Sequence, residues 1–221
     1  MTVDGVLTGV SPALLGYCFA DRLVAPARLK LTGVALPCRD VAVKADELAG
    51  TLFAISFWNL RRQGLLTLEL VQKKRLGLFS ETTVMAAPAG QAQRSGLEGV
   101  ILANLGRSGR PVRDVIRDWY REDVLNPAQY VVNAVLREGV EAGWMTEVDT
   151  GRGKVGAALL GKTRVEPVCE RIAGLEGAFD EVNAEWGRFR AMEAILAKAL
   201  VDACQQAVLS RRDTTTTNDY T

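Results

Sequence analysis

Residues 156–163 (GAALLGKT) match the phosphate-loop pattern G-x-x-x-x-G-K-[ST] at every position. In a nucleotide site, such a loop presents backbone amides to the phosphates, while its lysine and threonine contact the terminal phosphate and magnesium. A helix must follow, but Pro167 would lie inside that helix and remove a backbone donor. The same letters fit a hairpin strand. We therefore expect an apolar hairpin, formed by Ala157, Ala158, Leu159 and Leu160, and keep a nucleotide hydrolase using Lys162 and Thr163 as the enzyme alternative.

Two basic groups are candidates for binding anions. Lys73, Lys74 and Arg75 form the predicted tip of a hairpin, where they could contact phosphates of lipids or of nucleic acids. Arg107 and Arg110 precede a predicted helix start, where free backbone amides also favour anions. A purely structural interpretation stays open for the tip, because charge at a hairpin end also protects a strand edge from aggregation.

The composition limits the chemistry that this chain can perform. It has 221 residues, 27 Lys and Arg against 26 Asp and Glu, and no histidine. The small net charge gives no whole-molecule attraction to nucleic acid, and a histidine base, metal ligand or pH switch is excluded. Asp114 and Asp118 alternate with arginines at helical spacing, which favours a salt-bridged surface over an acid–base pair. We predict no enzyme, no cofactor and no metal.

The cysteines and the amino-terminal residues indicate in which cellular compartment the protein is expected. Cys18, Cys38, Cys169 and Cys204 lack the paired spacing of zinc or redox sites, which favours buried, reduced thiols in the cytoplasm. The first ten residues lack the basic start of a signal peptide, and no apolar run is long enough to span a bilayer. Peripheral attachment to the inner membrane face stays open.

The element around which the chain is organised is a helix over residues 47–62. Its apolar residues leave no wide polar face, so we expect protein on nearly all its sides. Gly64 stops the helix, and the alternation of Leu66, Leu68 and Leu70 then predicts a strand whose hairpin partner runs back to residue 85.

A second helix–helix–hairpin unit is predicted at residues 96–167, with helices at 96–105, at 111–121 and from 127, and strands at 144–148 and 157–165. Helices follow over residues 168–209, whose last segment carries Met192 and Ile195 on its predicted inner side. Ser11 is predicted to cap the first helix. We predict a mainly α fold with β-hairpins, in which tandem winged-helix-like units at 44–88 and 96–167 form one compact domain over 1–210, with a disordered tail at 211–221.

Several segments together resemble the Golgi phosphoprotein 3-like family, as a distant, bacterial-type member would. They are ELAGTLFAISFWNLRRQGLLTLE, QKKR, AAPAG, GLEGVILANLGRSGRPVRDVIRDWY, LREGVEAGWMTEV with ALLGKTRVEP, and FRAMEAILAKALVDACQQAVL. The resemblance implies a peripheral membrane adaptor that binds a phosphoinositide headgroup and protein tails. It places the family's headgroup-binding arginines on Ala49, Gln129 and Val132, so phosphoinositide recognition is not expected here.

The functional expectation is therefore a non-enzymatic adaptor or scaffold that binds an acidic membrane surface, a partner protein or both. Lys73, Lys74 and Arg75, with Arg107 and Arg110, would contact the acidic headgroups, and the apolar hairpin would add apolar contact. A homo-oligomer or a subunit of a larger complex is expected. The alternative is a tandem winged-helix DNA-binding or chromosome-associated scaffold protein, although neither candidate reading helix has a basic face.

Overall fold

The computed structural model describes residues 10–28, 33–75, 79–120, 124, 126–149 and 163–216, with side chains described outside 73–75, 79–81, 163 and 211–216. The described helices are α1 (Pro12–Cys18), α2 (Ala45–Arg62), α3 (Gly96–Leu105), α4 (Val112–Trp119), α5 (Pro127–Glu141), α6 (Cys169–Ala173), α7 (Glu176–Met192) and α8 (Ala194–Thr216), with a 3-10 turn at Ala20–Arg22. The described strands are β1 (Gly33–Ala35), β2 (Ala42–Lys44), β3 (Leu66–Arg75), β4 (Phe79–Pro88), β5 (Arg110–Pro111), β6 (Met145–Asp149) and β7 (Thr163–Pro167). The fold is mainly helical with small antiparallel sheets, as predicted at that level.

The predicted central helix is confirmed. Every residue of α2 from Leu48 to Leu60 is buried except Thr51, which is partly buried. Helices α1, α3, α5 and α8 all pack against α2, so its apolar surface is covered from several directions. Such burial is the main favourable contribution to folding, because it removes apolar area from water. Acidic Asp46 and Glu47 in the first turn and basic Arg61 and Arg62 in the last complement the helix dipole.

The first hairpin follows α2 directly. Gly64 adopts a left-handed φ of 70°, and the Leu65 amide donates to the Leu60 carbonyl at 2.9 Å, which ends the helix. Strands β3 and β4 then pair antiparallel along their whole length. The short strand β5, which was not predicted, extends this sheet by pairing with Met85 and Ala86 of β4.

The second hairpin pairs β6 with β7, from Met145 opposite Pro167 to Asp149 opposite Thr163. A strand therefore begins at Thr163, where a phosphate loop would require a helix. The residues of the predicted apolar hairpin, Ala157, Ala158, Leu159 and Leu160, lie outside the described residues, as do Gly161 and Lys162.

The amino-terminal part contains a disulfide that contradicts one expectation from the sequence. Ser11 caps α1, since its Oγ accepts from the Leu14 amide at 3.0 Å. Cys38, in the turn between β1 and β2, is bonded to Cys169 at the start of α6, and both residues are exposed. The prediction of buried, reduced thiols is wrong for this pair, and it is right for Cys18 and Cys204, which are buried and free.

The carboxyl-terminal helices break at a position that the sequence did not indicate. Helix α7 ends at Met192, and Glu193 leaves the helical region with φ −123° and ψ 48° before α8 begins. Helix α8 reaches Thr216, whereas a tail was predicted from residue 211. Met192 and Ile195 are exposed, so their predicted inward orientation is wrong. The break at Glu193 interrupts the helical period on which that prediction depended.

Candidate functional site

The predicted anion-binding arginines are not left free to act together. Arg110 donates to the Asn104 carbonyl at 3.0 Å and forms an ion pair with Asp118. The hydrogen bond from Arg110 is the main reason why the pKa of Asp118 lies below its ordinary value. Arg107 is exposed. The charge of Arg110 is therefore largely offset within the protein.

The other predicted site residues are only partly described. Lys73, Lys74 and Arg75 occupy the last positions of β3, opposite residues 81, 80 and 79 of β4, and their side chains are not described. The backbone thus places them in the last paired positions of β3, at the end of the hairpin that is far from α2.

The largest exposed apolar side chains in the described part of the chain lie at the turn between α7 and α8. Met192 is 84% exposed and Ile195 is 77% exposed, while the other exposed large apolar residues are at most 44% exposed. We call residues 192–195 the α7–α8 corner. Isolated apolar residues at a surface need no explanation, but two nearly uncovered ones only three residues apart make this turn a candidate contact site.

The corner packs against the end of α2. Arg61 donates through Nη1 to Oε1 of Glu193 at 2.8 Å, and its guanidinium lies 5.6 Å from the centre of the Phe189 ring. Beneath this contact, Trp58 of α2 packs edge-on against Trp186 of α7, with ring centres 5.6 Å apart. Trp186 is buried. The buried rings and the ion pair fix the position of the exposed corner.

Cationic side chains flank the corner on both helices. Arg188 precedes Met192 by four residues and Lys198 follows Ile195 by three, so each base shares a helix face with one apolar residue. The side chains of Arg188 and Lys198 are 71% and 78% exposed. Their partners are Glu185 at 3.7 Å and Asp202 at 2.5 Å, and such exposed ion pairs contribute little to stability. Both bases can therefore turn towards an external anion at small cost.

Helix α2 is not available to a nucleic acid groove. Its residues from Leu48 to Leu60 are enclosed by the other helices, and only Arg61 and Arg62 reach its accessible end. Arg61 is paired with Glu193 and Arg62 with Glu185. A groove-reading helix must present a row of side chains to base edges, and the buried middle of α2 offers no such row.

None of the described helices combines the length and the apolar composition that crossing a membrane requires. Comparison with family models, with curated proteins and with solved structures found no match. The resemblance to the Golgi phosphoprotein 3-like family therefore stays a prediction from the sequence. The α7–α8 corner is supported by the structure alone.

Proposed function

We propose that this protein is a non-enzymatic adaptor that attaches reversibly to acidic membrane surfaces through the α7–α8 corner. The observation that carries the proposal is the pair of exposed apolar side chains, Met192 and Ile195, flanked by the exposed bases Arg188 and Lys198. Apolar residues with a basic rim fit the boundary between anionic headgroups and acyl chains. The adaptor role, with a partner protein or a second copy, comes from the family resemblance.

The size of the contact implies weak attachment. Burying two large apolar side chains is worth roughly 3–6 kcal/mol, and each base near an anionic surface adds about 1 kcal/mol. These contributions are comparable to a single lipid chain, which gives only reversible binding. We therefore expect exchange between membrane and solution, and strong dependence on anionic lipid.

The basic hairpin end and the predicted apolar hairpin belong to the same proposal as secondary contacts. Lys73, Lys74 and Arg75 at the far end of the hairpin, and Arg107 at a separate place, would add headgroup contacts, and residues 157–160 would add apolar contact. The proposal also includes a winged-helix-like arrangement of α2 with β3 and β4, and of α3, α4 and α5 with β6 and β7. The order of these elements along the chain supports it.

The cellular location of the protein needs a direct test, because the Cys38–Cys169 disulfide does not fit the expected reducing cytoplasm. Disulfides persist in oxidising compartments and are rare in the cytosol. The cytoplasmic location expected from the sequence requires that Cys38 and Cys169 be reduced there, whereas an exported protein would keep them bonded. Trapping thiols in intact cells and following the mobility of the chain on a non-reducing gel would distinguish the two states.

Flotation with lipid vesicles tests the membrane proposal. Wild-type protein should float with vesicles of phosphatidylcholine mixed with phosphatidylserine and stay in solution with phosphatidylcholine alone. The double substitution Met192→Ser and Ile195→Ser should weaken binding more than about tenfold, because it removes the apolar contact. Arg188→Glu with Lys198→Glu should also weaken binding by about tenfold or more.

Matched controls separate this surface from general effects. Val41→Ser with Val148→Ser removes two other exposed apolar side chains, and Lys44→Glu reverses an exposed base that is remote from the corner; both should leave binding unchanged. The proposal is rejected if wild-type protein ignores acidic vesicles, or if the corner and control variants bind equally. It is also rejected if the protein instead binds duplex DNA with a steep loss of affinity as salt rises.

A further inference from the structure

A cavity separate from the α7–α8 corner lies beside α5. It measures about 320 Å³, at the small end of the range of ligand sites. Its wall is formed by the start of α3, the end of α4 and one face of α5, and the lining residues are Gly96, Val100, Trp119, Tyr130, Asn133, Ala134, Arg137, Glu138 and Glu141. A pocket of this size suits a small metabolite.

Glu138 is the unusual member of the lining. It is only 6% exposed, and its Oε2 accepts no hydrogen bond from any described residue. The oxygen lies against Gly96, since a Cβ built on that glycine would come within 2.0 Å of it. A buried carboxylate oxygen without a donor is costly, so it is a place where a ligand that donates hydrogen bonds would be stabilised.

The surroundings of Glu138 favour a cationic ligand group. Burial is the main influence on the Glu138 carboxyl and raises its pKa; the neighbouring Ser11 lowers this pKa by less, and the nearby Glu98 carboxyl raises it further. Glu98 is itself buried and is bonded to Asn59 at 2.6 Å. Glu141 adds a further acid at the exposed side of the cavity. A positive charge placed here would relieve this concentration of carboxyl groups.

Two further features define the rest of the ligand. Trp119 and Tyr130 line the cavity with ring centres 4.8 Å apart, which gives an aromatic wall suited to apolar groups and to a cation. Arg137 also lines the cavity, is exposed, and forms no ion pair within the described part of the chain. An arginine with free donors is suited to a carboxylate.

We propose that this cavity binds a small zwitterion of the amino-acid class. Its ammonium group lies against the Glu138 carboxylate, its carboxylate pairs with Arg137, and its side chain rests on Trp119 and Tyr130. The site does not depend on the membrane contact, because it involves different helices and no residue of the α7–α8 corner.

Ligand titration followed by tryptophan fluorescence and by thermal unfolding tests the proposal, with Trp119 as the reporter beside the ligand. The probes are the proteinogenic amino acids. Each amino acid that binds is then compared with two analogues, the amine that lacks the carboxylate and the acid that lacks the ammonium group. At least one amino acid should bind, and removing either charged group should weaken binding about tenfold or more, as loss of a charged partner does.

Glu138→Gln keeps the size of the side chain and should weaken amino-acid binding about tenfold or more. Arg137→Gln should weaken it by a similar factor, and the fold should tolerate this substitution because Arg137 is exposed. Glu147→Gln, an exposed change on β6, is the matched control and should bind like wild type. The proposal is overturned if no amino acid binds at millimolar concentration, if the amine or the acid alone binds as tightly, or if Glu138→Gln and Arg137→Gln both bind like wild type.

Discussion

Asn59 donates through Nδ2 to Oε1 of Glu98 at 2.6 Å, and both residues are buried. This contact joins the last turns of the central helix α2 to the first turn of α3. The Oε2 atom of Glu98 also lies 3.9 Å from Nε of Arg94, so removing Asn59 takes away the close donor of this buried carboxyl and leaves only the longer ion pair. The pair therefore fixes how α3 is placed on α2.

Replacing Asn59 by Ala should lower the free energy of unfolding by about 2–4 kcal/mol, since the buried Glu98 carboxyl loses its amide donor. Urea denaturation measures the loss. Ser56→Ala is the matched control on the same helix: the Ser56 hydroxyl only donates back to the Leu52 carbonyl, and its removal should change stability by less than about 1 kcal/mol. Equal losses in both variants would contradict the importance of the contact.

Stability should depend on pH in a direction unusual for carboxyl groups. The pKa values of Glu98 and Glu138 are raised above the ordinary 4.5, chiefly by burial. The folded state then holds protons that the unfolded chain has released. The free energy of unfolding should therefore fall as the pH rises from the ordinary glutamate pKa through the raised pKa values of the folded state. It should be highest at the lower end of this pH range.

Urea midpoints at several pH values between about 5 and 8 measure this slope. Glu98→Gln and Glu138→Gln should each flatten it, because neither amide titrates. The lowered pKa of Asp118 has the opposite effect, because it stabilises the folded state at higher pH. This stabilisation is lost only below the ordinary pKa of 3.8, which lies outside the pH range measured. A wild-type slope that survives both substitutions would refute the assignment.

Breaking the Cys38–Cys169 disulfide should destabilise the fold. The bond closes a loop spanning 131 residues of separation, for which chain entropy alone predicts up to about 5 kcal/mol. We expect reductant to lower the melting temperature of wild-type protein and to leave Cys38→Ser with Cys169→Ser unaffected. Melting temperatures that do not respond to reductant in either protein would contradict the bond.

Thiol labelling provides a second test of the same pairing. Burial raises the pKa of Cys18 to about 12 and also raises that of Cys204, so both are unreactive thiols in the folded protein. Native protein should therefore label at none of the cysteines, unfolded protein at two, and unfolded, reduced protein at four. Labelling of four cysteines without reductant would exclude the disulfide.

Two glycine-to-alanine substitutions should change stability in opposite directions. Alanine normally favours a helix over glycine by about 1 kcal/mol. At Gly50, however, a Cβ would lie 2.9 Å from the Gln205 Cα, where α2 and α8 approach closely, so Gly50→Ala should destabilise. At Gly187 in α7 nothing lies within 4 Å, and Gly187→Ala should stabilise by about 0.5–1 kcal/mol. Thermal unfolding measures the change in melting temperature of each variant. A change of the same sign in both variants would be inconsistent with the packing at Gly50 and Gly187.

The fold could be predicted where the signal was local. Helix α2 is apolar on all sides and is followed by Gly64, and both features act within a few residues. The Ser11 cap, the pairing of β3 with β4 and the start of α5 at Pro127 have equally local causes. These were all expected from the sequence.

The sites depended on contacts that no short stretch of sequence reveals. Met192 and Ile195 fit an inward stripe until the helix breaks at Glu193, where neither glycine nor proline gives warning. Cys38 and Cys169 are distant in sequence, and only the folding of β1 and β2 beside α6 brings them together. Glu138 looks like an ordinary surface acid on α5 until α3 covers it.

The packing of α2 against α8 also has a consequence during synthesis. The ribosome makes α2 early, but α8, which covers it, emerges only after most of the other elements have left the exit tunnel. Until then the apolar surface of α2 that α8 will cover stays exposed on the nascent chain, as is common for chains whose core joins distant segments. Chaperones that bind nascent polypeptides should therefore hold this chain until α8 is complete.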